Sequence, residues 1–82
     1  MSHESNKTEF QSLFGKQIKR IRLAQDLSLR KLSQRCNLDH SDIAKYERGE
    51  VNIQLSTIYE LAVGLNIHPK ELFDFRIERY DH

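Results

Sequence analysis

Residues 28–49 read Ser-Leu-Arg-Lys-Leu-Ser-Gln-Arg-Cys-Asn-Leu-Asp-His-Ser-Asp-Ile-Ala-Lys-Tyr-Glu-Arg-Gly, and the punctuation of this stretch decides the fold. Ser28 is a good N-cap, and Leu29, Leu32 and Cys36 then fall at i, i+3 and i+7, one apolar stripe on a helix of about two turns. A helix that short needs a partner. Asn37, tolerant of the left-handed conformation, interrupts it, and Asp39 caps a second helix with Asp42 in its first turn, where the helix dipole favours an acid. That helix buries Ile43 and Tyr46 and stops at Gly49. Helix, three-residue turn, helix, each with one narrow apolar side, is a helix-turn-helix layout. The second helix leaves His40, Ser41, Ala44, Lys45 and Arg48 exposed, short and polar enough to enter a major groove. By chemistry alone any solvated helix face would look the same.

Residues 16–73, about 58 of the 82, resemble the helix-turn-helix domain of the Cro and phage-repressor (XRE) family. The motifs that carry the resemblance are Ile18-Lys19-Arg20-Ile21-Arg22, Leu27-Ser28-Leu29-Arg30-Lys31-Leu32-Ser33, Ile43-Ala44-Lys45-Tyr46-Glu47-Arg48-Gly49, and Leu65-Asn66-Ile67 with Leu72-Phe73. Against the family pattern, Leu29 replaces a Gln and Ser33 an Ala; Leu29 has no polar group to make the DNA contact of that Gln. The resemblance implies a lambda-repressor-like DNA-binding domain. It also implies an ion pair between an Arg of the first helix, read here as Arg20, and Glu47 at the end of the third. Small members of the family serve as restriction-modification controllers, antitoxins or other regulators, so RNA polymerase or a toxin protein remain open as further partners.

The bulk composition allows this. Eighty-two residues make one domain with a modest core, which dimerisation would help. Hydrophobic content of 38% excludes a disordered chain, while 30% charged residues leave a well-solvated surface. No apolar run approaches a bilayer span and the N-terminus lacks the apolar core of a signal peptide, so a cytoplasmic location with no membrane partner is expected. One cysteine cannot form an internal disulfide, and Cys36 reads as a small core residue. The formal net charge is only +1, but Lys16, Lys19, Arg20, Arg22, Arg30, Lys31 and Arg35 face a single acid, Asp26, between residues 16 and 35. The rest of the chain is net acidic. That dipolar layout is the footprint of a surface that meets a polyanion on one side.

Along the chain, residues 1–8 read as a flexible tail and 9–80 as the domain. A first helix is expected at roughly 9–25, capped by Thr8 with Gln11 completing a capping box. Gly15 inside it costs about 1 kcal/mol relative to Ala, so close packing would have to require it. A loop spans Glu50 to Gln54. A fourth helix carries Leu55, Ile58, Leu61, Ala62 and Leu65, and Asn66 ends it. A fifth, about 69–80, starts on Pro69. The class is all-α, a compact five-helix bundle.

Catalysis and metal binding find no support. His40, Ser41 and Asp42 are consecutive and so point about 100° apart on a helix, which rules out a triad. His3, His40, His68, His82 and Cys36 show no metal-ligand spacing. No cofactor and no enzymatic activity are expected. The reading is a sequence-specific regulator that binds a two-fold operator in double-stranded DNA as a homodimer. Phosphate contacts fall to Ser28, Arg30, Lys31 and Asn52, base readout to His40, Ser41, Lys45 and Arg48. The apolar surplus Phe75, Ile77 and Tyr80 supplies the dimer interface, unless these rings fold back over Phe10 and Phe14 as core. The rival class is a protein-interaction module, an antitoxin or adaptor, which would show no salt-sensitive specificity for duplex DNA.

Overall fold

The structure, a computed structural model, describes residues 3–77, and for residues 3–5 the backbone alone. Four α-helices follow one another: α1 His3–Ala24, α2 Leu29–Ser33, α3 His40–Glu47 and α4 Leu55–Leu65, with a short 3-10 segment at Pro69–Phe73. The all-α class is as expected. The helix count is four rather than five, and the expected cap Thr8 lies inside α1, which begins ahead of it at His3.

Three helices close in the same way. Gly49 takes a positive φ of 72°, its N–H donates to the Tyr46 carbonyl at 3.0 Å, and the Glu50 N–H reaches back to the Lys45 carbonyl at 3.2 Å. This is the six-to-one and five-to-two pattern that satisfies orphan carbonyls at a helix end. Asp26 does the same for α1 and Asn66 for α4, both in the left-handed region. Asn37 is not among the left-handed residues; its N–H instead donates to the Glu60 carboxylate at 2.9 Å, tying the turn to α4. At the other ends, Ser28 accepts from the Lys31 N–H and Asp39 from the Ser41 N–H, the two caps expected.

Helix α2, at five residues, is shorter than the two turns expected. The Gln34 N–H is shared between the Arg30 and Lys31 carbonyls and the Ser33 hydroxyl takes the Arg30 carbonyl at 2.7 Å, so the ladder ends there. The link to α3 therefore spans residues 34–39, not three. The last expected helix is likewise cut short, the chain leaving the 3-10 segment at Asp74 with φ −83° and ψ 68°. The Gln17 amide of α1 donates to the carbonyls of Glu71 at 2.9 Å and Asp74 at 3.3 Å, tying that turn to α1. Residues beyond 77, where that helix was expected to end, lie outside the described part of the chain.

One core joins all the elements. Phe14 and Ile18 of α1, Leu32 of α2, Ile43 of α3, Leu61, Ala62 and Leu65 of α4, and Leu27 and Leu72 from the connections are buried together. Each helix supplies one face, so none of them is stable without the others. Gly15 permits the closest approach: a methyl there would collide with the Tyr46 carbonyl oxygen and stand 2.5 Å from that of Glu47, so α3 could not seat its end on α1.

Candidate nucleic-acid interface

Helix α3 is held by one edge and free on the other. Ile43 is fully buried, Glu47 one turn on is nearly so, and Tyr46 is half-buried. Ser41, Lys45 and Arg48, at i, i+4 and i+7, form the opposite stripe and are all exposed. His40 sits at the margin, half-buried, its Nδ1 3.8 Å from the Asp39 carboxylate. The structure thus gathers Ser41, Lys45 and Arg48 on one face, with His40 beside it.

The anchor of that geometry is an ion pair, but with a different arginine from the one expected. Arg22, not Arg20, meets Glu47, with Nε donating to Oε2 at 2.6 Å and Nη2 to Oε1 at 3.0 Å. A third donor, Nη1, takes the Leu27 carbonyl at 2.7 Å. Arg20 is exposed. Two residues apart on a helix lie on nearly opposite sides, and the side toward α3 is that of Gly15, Ile18 and Arg22. The spacing held the signal: an arginine four positions after Ile18 is Arg22. The pair locks the end of α3 against α1 in a fork-on-fork arrangement.

Beside this anchor, Arg30 and Lys31 are exposed on α2. Ser28 accepts the Lys31 N–H at 3.0 Å, which leaves its hydroxyl proton able to donate outward. The positive field of Arg30 reaches Asp39, whose carboxyl is held below its ordinary value first by the Ser41 hydroxyl, then by the Ser41 N–H, and also by His40 and Arg30. The Ser41 hydroxyl, bonded to Asp39, presents oxygen lone pairs to solvent rather than a donor. Asn52 is exposed in a cleft of about 350 Å³ that it shares with Asp42, Lys45, Tyr46, Gln54 and Thr57. Leu29, in place of the family Gln, is half-buried and packs on the core.

One feature escaped sequence reasoning. Glu50, just past α3, takes Arg48 by a bidentate pair, 2.6 Å to Nε and 3.3 Å to Nη2. The C-terminal rings also turn inward: Phe75 lies 5.7 Å from Phe10 and Phe73 4.9 Å from Phe14, centroid to centroid. Phe75 is half-buried against the core, and Ile77 lines a hollow with Phe10 and Leu13. Phe75 thus packs over α1, the alternative placement expected for it; Tyr80 lies outside the described residues. The exposed apolar stripe is instead on α4, where Leu55 is 82%, Tyr59 62% and Val63 47% accessible at i, i+4 and i+8. Cys36 is half-buried, its thiol pushed up first by burial, with Sγ 3.4 Å from the Leu32 carbonyl. Among the described residues no helix is long and apolar enough to cross a membrane, and no group of acids, histidines and cysteines could hold a metal ion.

A capped, polar helix held end-on by a buried ion pair, preceded by a short helix bearing exposed cations, defines the helix-turn-helix class of domain. The sequence model of the helix-turn-helix family HTH_3 matches residues 18–72, and the chain belongs to that family. Its relatives include the control protein C.BamHI of Bacillus amyloliquefaciens, 38% identical over 64 residues that cover 77% of this chain and 79% of that one. Among solved structures, the restriction-modification controller protein C.AhdI of Aeromonas hydrophila superposes with a TM-score of 0.73 at 39% identity, over 76% of this chain and 94% of that one. The restriction-modification controller C.Esp1396I, as a tetramer in complex with its natural 35-base-pair operator, gives a TM-score of 0.74 at 26% identity, over 79% of this chain and 86% of that one.

Proposed function

We propose that this chain is a sequence-specific regulator of transcription that binds duplex DNA as a homodimer on a two-fold operator, with α3 in the major groove. The observation that carries the reading is the division of α3 into a locked face, Ile43 and Glu47, and a free polar face, Ser41, Lys45 and Arg48. Base readout falls to that free face with His40 at its edge; Ser28, Arg30, Lys31 and Asn52 hold the flanking phosphates. The dimer forms over the α4 stripe of Leu55, Tyr59 and Val63, an unpartnered apolar surface of the kind that marks an interface. The likeness to C.BamHI and C.AhdI supports the finer role of a restriction-modification controller. In this reading the chain performs no catalysis and works in the cytoplasm. Selection from a random pool of duplexes, at two salt concentrations, tests it. A two-fold motif with half-site centres about 10 base pairs apart, bound less tightly at the higher salt, is the expected outcome. Recovery of no common sequence at either salt would reject the reading in favour of a protein-interaction module.

A further inference from the structure

Glu50 follows the glycine that ends α3, and its backbone N–H bonds the Lys45 carbonyl at 3.2 Å, so the turn itself fixes where the carboxylate begins. From there it takes Nε of Arg48 at 2.6 Å and Nη2 at 3.3 Å. Both side chains stand in solvent, 55% and 50% accessible. Hydrogen bonding to Arg48 first, then the charges of Arg48 and Lys45, hold the Glu50 carboxyl below its ordinary value. One carboxylate thus occupies the guanidinium of Arg48, at the end of the free stripe of α3. The edge of Arg48 that it fills, Nε with Nη2, is one that a phosphate of DNA could otherwise take, and that edge holds one such partner at a time.

We propose that Glu50 is a specificity-determining residue that stands in for a DNA acceptor, holding Arg48 so that the free protein grips duplex of arbitrary sequence weakly. The inference rests on the DNA-binding reading above. An exposed ion pair is weak and exchanges readily. At a matching site the base-edge contacts made by the rest of α3 offset the loss of the pair; on random sequence only phosphates do so, and the arginine stays with Glu50. The acid therefore lowers non-specific affinity more than specific affinity, which widens the ratio between them.

The test is a cycle of four proteins, the natural chain, Glu50→Gln, Arg48→Ala and the double variant, each titrated with a random-sequence duplex across a range of salt. The Gln side chain keeps the length and leaves the backbone turn intact. Glu50→Gln alone should bind this duplex roughly three- to tenfold more tightly, with a salt slope steeper by about 0.9, the signature of one more phosphate contact. In the Arg48→Ala background the same substitution should gain almost nothing. An equal gain in both backgrounds would overturn the inference, since it would then reflect only the loss of a negative charge near DNA; so would no gain at all. Should the natural chain and all three variants bind no duplex even at low salt, the DNA reading itself fails and takes this inference with it.

Discussion

Replacing Glu47 by alanine strands the Arg22 guanidinium in a site where its side chain is only 8% accessible and its remaining partner is the Leu27 carbonyl. Breaking a buried pair by removing one member costs about 3 to 5 kcal/mol, far more than an exposed pair contributes. Urea denaturation of Glu47→Ala should show that loss, and DNA affinity should fall with it because the end of α3 is no longer fixed. Arg20→Ala, by contrast, should stay within about 0.5 kcal/mol of the parent. If the two variants melted alike, the lock would not exist. The glutamate was legible in the sequence, but its partner was taken two positions too early, although counting four from Ile18 reaches Arg22. Arg48 shows the opposite limit. Its place on the free face follows from helical spacing, yet its engagement by Glu50 depends on a turn that brings a residue two positions later alongside it, which no periodicity reports.

At the scale of elements, Gly15→Ala sets two effects against each other. Alanine gains about 1 kcal/mol of helix propensity in α1, but its methyl would meet the Tyr46 carbonyl oxygen and lie 2.5 Å from that of Glu47, backbone atoms that cannot swing aside. Overpacking of this kind costs about 1 to 3 kcal/mol, so the clash wins and the variant should unfold at lower urea than the parent. A stabilised Gly15→Ala would mean that α3 sits farther from α1 than described. The starts of α2 and α3 were readable because a cap is local: Ser28 and Asp39 each satisfy an amide within their own next turn. Helix lengths were less so. The segment after Pro69 carries helix-forming residues, yet its turn is tied to α1 by the amide of Gln17, more than fifty positions away in sequence. The contact of the Asn37 N–H with Glu60 is likewise long-range, beyond what local spacing reports.

For the whole molecule, the question is how two copies meet. The C-terminal rings read as interface, with core as the alternative, because apolar residues without a clear period carry no direction; packing of Phe75 on Phe10 supplied it. Leu55 of α4 reads as core because it fits the core spacing of its own helix, and only its exposure of 82% shows that it faces out. Tyr59→Asp/Val63→Asp should therefore sediment as a folded monomer with much reduced operator affinity, whereas an unchanged dimer would place the interface elsewhere. The claim on which the account turns is that α3 reads bases while α2 holds the backbone. Lys45→Ala and Lys31→Ala should be compared on the selected operator and on its single-base variants. Loss of Lys45 should flatten the preference at one base position by about 1 to 3 kcal/mol, while loss of Lys31 should weaken every sequence alike and lower the salt slope by about one. The same uniform loss from both substitutions, with every base preference intact, would contradict the account.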